Sequence, residues 1–421
     1  MEQLQEIEQL IQEGDVEALS RLLDQLTKST DFDLLYEAAG LLAAYGFMEE
    51  ADRIYQTLLF HLPDEAQLKI DRANTLVELG EEDEALLLLS DVKSTDEEYV
   101  QALLALADYY QMTGLAETAL SKIQEAHSLL PTEPVIQFAY AELLLESGKY
   151  GEAARYYLEL KEQVEEIGDI SMTERLAETY SAGAAYEEAI PYYEEMLKEK
   201  TLPDTLFGAA FAYYQTEKAE RAIKLLTELI AIDPDYYAAY MLAGQAQLLA
   251  GEDQAAYQTF LDGIVRDEYD KELQLSAGKC ALKIGRPEEA ETHLKEALVL
   301  DPEYIEALIT LASLYNESER DEELIELLSY SKEDIEDIAR LHAFLAYAYE
   351  RTELYDNAYE SFNKAYSGMK EDYEFLSAYA NFLVEEGKQS EAIVVAKQII
   401  VLFPDNQNWR AFLEVQNDEG V

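Results

Sequence analysis

Leu206-Phe207-Gly208-Ala209-Ala210-Phe211-Ala212-Tyr213-Tyr214, followed by Ala222 and then by Asp233-Pro234, carries in one copy the pattern that governs the whole chain. A small residue, Ala210, sits in the middle of an apolar run. A second small residue follows twelve positions later, and a proline stops the second run, because it cannot continue a helix.

Moving outward, the first small residue recurs as Ala39, Ala73, Ala107, Ala141, Ala177, Ala210, Gly244, Gly278, Ala312, Ala346 and Ala380. Successive positions lie 34 apart, except for one step of 36 and one of 33. A second comb runs in register with it: Ala51, Ala85, Ala119, Ala153, Ala189, Ala222, Ala256, Ala290, Leu324, Ala358 and Ala392. Two combs in register identify an internal repeat. Small side chains at fixed places let two helices, and the next repeat stacked on them, approach closely. Seven residues after the first comb stand Gly46, Gly80, Gly114, Gly148, Gly251, Gly285 and Gly387, each placed to supply the left-handed turn that ends one helix before the next begins. Large residues fill the gaps: Tyr110, Tyr180, Tyr213, Tyr315 and Tyr349 on the first helix, and Tyr55, Tyr157, Tyr193, Phe260 and Phe362 on the second. Pro63, Pro131, Pro234, Pro302 and Pro404 close their repeats.

These residues resemble the tetratricopeptide repeat (TPR), a helix-turn-helix unit of about 34 residues. Eleven such units run from about 32 to 405. The end-to-end array is similar to the YpiA-like TPR proteins of Gram-positive bacteria. The resemblance implies an all-α, right-handed superhelical solenoid of antiparallel helix pairs. Residues 1–31 are read as a degenerate N-terminal helix pair acting as a cap, 32–165 as repeats one to four, 166–404 as repeats five to eleven, and 405–421 as a C-terminal capping helix. Two places depart from the period. An acidic insert, Lys161 to Asp169, is expected to form a loop or a hinge. The ninth unit, 305–337, lacks comb alanine, turn glycine and closing proline, and Leu324 is expected to push its helices apart.

The 421 residues hold 31 Lys+Arg against 88 Asp+Glu, so the net charge is 31 − 88 = −57. Such a surface repels phosphate backbones, which argues against nucleic acid and anionic membranes and favours basic partners. No apolar run approaches the roughly 20 residues that span a bilayer, so direct membrane insertion is not expected. One cysteine, Cys280, and an acidic N-terminus without an apolar segment point to the cytoplasm. The histidines His61, His127, His293 and His342 are scattered, and no metal-ligand spacing, phosphate loop or catalytic motif occurs. No cofactor or metal is expected, and no enzymatic activity.

Function is then expected on a surface. In the TPR family the first helices of each pair, the A helices, line the concave side. That geometry points to Tyr36, Asn74, Phe138, Phe207, Phe211, Tyr214, Met241, Gln245 and Lys279, with Phe344, Tyr347 and Arg351 as a second patch. Phe207, Phe211, Tyr214, Met241, Leu242, Leu248 and Leu249 are expected to fall near one another, either as an apolar binding groove or as filling of a tightly wound inner wall. The carboxylate clamp of co-chaperone TPRs is represented only by scattered pieces: Asn74, Arg175, Lys279, Arg340, Arg351 and Asn381. Apolar or basic protein segments fit better as ligands. The expected function is a non-catalytic scaffold or adaptor. The alternative is a peptide-sensing regulatory receptor, of a type that includes phosphatases of response regulators.

Overall fold

The computed structural model describes residues 2–330 and 338–418, with side chains over 3–329 and 338–416. The closing segment of the ninth unit, 331–337, and the last residues of the C-terminal segment, 419–421, lie outside the described residues. The chain falls into two compact units, 1–212 and 213–421, divided within the helix 203–215.

Helices dominate both units. In the first, α1 (Glu2–Glu13) and α2 (Val16–Leu26) precede the pairs α3 (Phe32–Ala44) with α4 (Met48–His61), α5 (Ala66–Glu78) with α6 (Glu82–Ser90), α7 (Tyr99–Met112) with α8 (Ala116–Leu129), and α9 (Pro134–Glu146) with α10 (Tyr150–Lys161). A hairpin of β1 (Glu166–Ile167) and β2 (Ile170–Ser171) follows, then α11 (Met172–Ala182), α12 (Tyr186–Glu199) and α13 (Pro203–Gln215). The second unit continues with α14 (Ala219–Ile232), α15 (Tyr237–Leu249), α16 (Asp253–Arg266), α17 (Lys271–Lys283), α18 (Pro287–Leu300), α19 (Ile305–Glu317), α20 (Asp321–Tyr330), α21 (Ala339–Arg351), α22 (Tyr355–Tyr366), α23 (Tyr373–Glu385), α24 (Gln389–Leu402) and α25 (Gln407–Asp418). From α3 to α24 this makes eleven consecutive helix pairs among the described residues.

The turn inside each pair is a helix stop built from the backbone. After α3, Gly46 has φ +82, its amide donates to Ala43 O, and the Phe47 amide donates back to Leu42 O at 2.9 Å. That closes the carbonyls a helix end leaves open. All seven turn glycines have positive φ. Where the glycine is missing the turn persists: Ala184, Glu217, Glu319 and Glu353 take φ between +53 and +61, a region costly for a residue with a Cβ. Acidic residues serve as caps as well as charge. Asp31, Asp270 and Asp372 accept from the first free amides of α3, α17 and α23.

Both combs are inside. Every alanine of the two combs is at most 1 % exposed, and Tyr157, Phe260 and Phe362 are fully buried beside them. Each such aromatic stabilises its unit by about 2–3 kcal/mol through burial. Each unit therefore has a series of apolar clusters along the array, several of them continuous across neighbouring helix pairs.

The insert Lys161 to Asp169 was expected as a loop or hinge and closes instead as a hairpin. Glu166 pairs with Ser171 and Ile167 with Ile170, and Gly168 supplies the positive φ that a two-residue turn needs. Val164 and Ile167 pack on the core of the first unit, and Ser171 then caps α11 by accepting from Thr173 N.

In the ninth unit Leu324 takes the place of the comb alanine and is fully buried in one cluster with Leu308, Leu311, Tyr315 and Leu328. Beside it, Arg320 stacks on the Tyr315 ring at 4.5 Å and grips Glu291 of α18 through both terminal nitrogens, at 2.5 and 3.1 Å. Lys295 and the Tyr315 hydroxyl donate to the same carboxylate. Arg320 first, then Lys295 and Tyr315, hold the Glu291 carboxyl down at about 2. A carboxyl depressed in the folded state contributes stability that is present above its unfolded value, near 4.5, and lost as pH falls toward 2. With Arg320 a third exposed, the contribution is about 2 kcal/mol. Glu291→Gln is expected to flatten the acid limb of the stability curve between about pH 4.5 and 2, measured by urea unfolding at each pH. An unchanged acid limb would show that the contact is energetically idle.

Candidate interaction surface

The A helices place the residues three before and one after the first comb on one face, because 3.6 residues per turn bring i and i+4 together. In the first unit this face opens into a cavity of about 480 Å³ between α5 and α7. Ile70, Asn74, Leu104 and Asp108, the pairs that flank Ala73 and Ala107, all line it. Val77 and Met112 add apolar wall, and Asp71, Glu78, Gln67 and Gln101 add polar rim. Asp71 is already engaged, accepting from Tyr36 Oη at 2.8 Å and from Gln67 Nε2 at 2.8 Å. Burial and that carboxylate push the Tyr36 hydroxyl up to about 12.

The other expected site residues fall in different settings. Asn74 is exposed on the cavity wall, and Phe138 is half-buried with its ring edge-on to Tyr157. Phe207 and Phe211 are half-buried at the end of the first unit, where Phe211 meets Tyr186 edge-on at 5.6 Å. Tyr214, Met241 and Gln245 are half-buried in the second unit, and Met241 packs on the core that contains Phe260. The central apolar cluster expected from the sequence is thus divided between the two units. Two of the apolar residues expected on the surface are core instead. Leu242 is 5 % exposed. Phe344 is 8 % exposed, because it turns into the seam with α19 and packs with Leu308 and Leu311, and Arg340 lies over its ring. Tyr347 is half-buried against Phe362, and burial raises its hydroxyl above the ordinary tyrosine range.

The cations of this face are committed to the protein's own carboxylates. Arg175 lies between Glu142, 3.0 Å away, and Glu178, 2.7 Å away. Lys279 pairs with Glu306. Arg351 holds Asp321 with two nitrogens and also donates to Asn316 Oδ1 at 3.0 Å. None of the three is left over to hold an anionic ligand; Arg340 has no carboxylate partner among the described residues and lies over the Phe344 ring.

One arrangement went unforeseen in the sequence: Lys69 and Arg72, on the opposite side of α5, are both nearly buried. Arg72 bridges Asp52 of α4 and Glu84 of α6, each at 2.8 Å, and Lys69 binds Asp91 at 2.6 Å. Arg72 sits where the other repeats carry apolar or small residues, whereas the position of Lys69 also holds Gln137, Gln274 and His342, so residue type alone did not mark the pair. Among the described residues no group of three or more His, Cys, Asp or Glu is placed to hold a metal, and no helix is long and apolar enough to cross a membrane.

Comparison with known proteins fits this architecture. Models for tetratricopeptide repeats match residues 173–206 and 232–403, and a model described as YpiA-like tetratricopeptide repeats matches 111–165. The TPR repeat-containing protein YpiA of Bacillus subtilis (strain 168) is 38% identical over 408 residues, covering 96% of each chain. The chain belongs to the YpiA-like TPR family. A second TPR repeat-containing protein, MJ1428 of Methanocaldococcus jannaschii, is 30% identical over 142 residues, 33% of this chain and 25% of its own length. Among solved structures, Naa15/Naa10 bound to HypK-THB aligns with a TM-score of 0.46 at 16% identity, covering 91% of this chain and 65% of that one. YrrB, a TPR protein with an unusual peptide-binding site, aligns with a TM-score of 0.37 at 18% identity over 44% of this chain and 95% of its own. TPR proteins in general bind other proteins or peptides and are generally non-catalytic, and membership of the family supports a protein-interaction role in that general sense.

Proposed function

We propose that this TPR protein is a non-catalytic scaffold that receives a segment of a partner protein on the A-helix face of its first unit. One observation carries the reading: the face opens into a cavity at α5 and α7 whose lining combines apolar side chains with carboxamides and whose only charged members are acidic. An open apolar surface of that kind is stabilised by covering it. The carboxylate rim favours a partner that is basic or apolar and disfavours nucleic acid, whose phosphates the surface repels. Catalysis has no support in the described residues, where the titratable groups on this face are engaged in structural pairs or stand alone.

Retention of partners from lysate of the source cells tests it. The full chain is compared with Asn74→Arg/Leu104→Arg, which fills and recharges the cavity without touching either comb. The variant is expected to lose partners that the wild-type chain retains. Equal retention by both would move binding off this face.

A further inference from the structure

Within the α5–α7 cavity the polar groups divide into two sets. Asp71 is satisfied from inside the protein, by Tyr36 and Gln67. Asn74, Glu78, Gln101 and Asp108 make no hydrogen bond or ion pair with any described residue. Asp108 is the unusual member. It is open to solvent, yet enough protein surrounds it to raise its carboxyl above the ordinary aspartate value, and no cation lies close enough to offset that. At the same register position, one residue after the comb, Glu142 and Glu178 share Arg175. Here the cation is missing, and the nearest basic residues of α5, Lys69 and Arg72, are turned the other way into Asp91, Asp52 and Glu84.

The shape around Asp108 says what kind of cation completes it. Ile70, Leu104, Ala105 and Met112 present apolar wall suited to a methylene stem, and the carboxamides of Asn74 and, about two turns of α7 before the acid, Gln101 present acceptors in the same lining. A guanidinium has five donors in a planar fork, which can pair with a carboxylate and still donate to carboxamide oxygens, and its stem packs on apolar surface. An ammonium has three donors and holds its water more tightly, so it gains less in a cavity of this kind. A metal ion would need more carboxylate or imidazole ligands than the site gathers.

We propose that the cavity between α5 and α7 receives an arginine side chain from the partner segment, with its guanidinium on Asp108 and its stem between Ile70, Leu104 and Met112. This rests on the scaffold reading above and specifies what the partner must carry at that point. A partner surface rich in acidic residues is excluded by the same geometry.

The test is a methyl-resonance titration of the full chain labelled at Ile, Leu and Met, using α-N-acetyl-arginine amide, α-N-acetyl-lysine amide and α-N-acetyl-norleucine amide as probes. The arginine probe is expected to shift Ile70, Leu104 and Met112 saturably, with lysine weaker and norleucine showing no saturation. Asp108→Asn, nearly the same shape at a solvent-open position, is expected to weaken the arginine probe tenfold or more while leaving the remaining methyl spectrum in place. Equal binding of norleucine, equal binding of lysine, undiminished binding to Asp108→Asn, or no shift at these three methyls would each overturn the proposal. The scaffold reading stands or falls separately, because Asn74→Arg/Leu104→Arg blocks the cavity for any partner, with or without arginine.

Discussion

Arg72→Ala is expected to lower the stability of the first unit by about 3 kcal/mol, an effect set by what the substitution leaves behind. The guanidinium is itself nearly buried and joins three helices, bonding Asp52 on α4 and Glu84 on α6. Its removal strands the Asp52 carboxylate, which is only 20 % exposed, without a countercharge. Glu84 is half exposed and recovers most of its loss in water, so the cost is concentrated on Asp52. Arg72→Met, combined with Asp52→Leu, removes both buried charges together and is expected to recover most of the stability. Hydrogen exchange read along the chain checks this: protection should fall in α4, α5 and α6 and hold in the second unit. Unchanged protection in those three helices would show that α5 is held by its apolar residues alone.

Gly244→Ala is expected to cost about 2–3 kcal/mol in the second unit, although alanine is the residue nine of the eleven first-comb positions carry. A Cβ at Gly244 would lie 2.2 Å from Phe260 Cε1 and 2.5 Å from Phe260 Cζ, far inside van der Waals contact. The ring is fully buried, so it has nowhere to withdraw. Phe260→Leu in the same chain is expected to relieve the clash, giving a double variant more stable than the sum of the two single changes. Gly40→Ala is the contrasting case: the added methyl meets only Tyr55 Oη, at 4.0 Å, and stability should hold or rise slightly. Guanidinium unfolding of the four variants decides it. A Gly244→Ala chain as stable as wild type would mean that the α15–α16 seam yields where its packing says it should not.

These two cases also mark how far the amino-acid order was legible. The combs were legible because a helix-pair array ties each position to one environment, so a small residue repeated every 34 positions can only be a seam. The four turns that lack glycine, at Ala184, Glu217, Glu319 and Glu353, keep the same register, but no residue type announced them and they emerged only in the structure. Burial of an individual side chain was less legible. Phe344 and Leu242 lie two positions before the comb, where most repeats carry small or polar residues, and the sequence could not tell an exposed aromatic from one folded into the seam. The hairpin at 166–171 escaped because Glu166-Ile167 and Ile170-Ser171 are too short for alternation to register. On the surface, the positions flanking the comb include Asn74, which lines the cavity, but they did not show the pairing of Arg175, Lys279 and Arg351, which depends on carboxylates 3 to 33 residues away.

The central claim is that partners dock on the A-helix face at α5 and α7, and site-specific photo-crosslinking from the full chain reads it most directly. A benzoyl-phenylalanine at Asn74, on the cavity wall, is compared with one at Phe60, an aromatic on α4 that is 82 % exposed. The account predicts a discrete partner adduct from position 74 that competes away with excess unlabelled chain, and none from position 60. A competable adduct from position 60 with none from position 74 would contradict it, placing the working surface on the B helices.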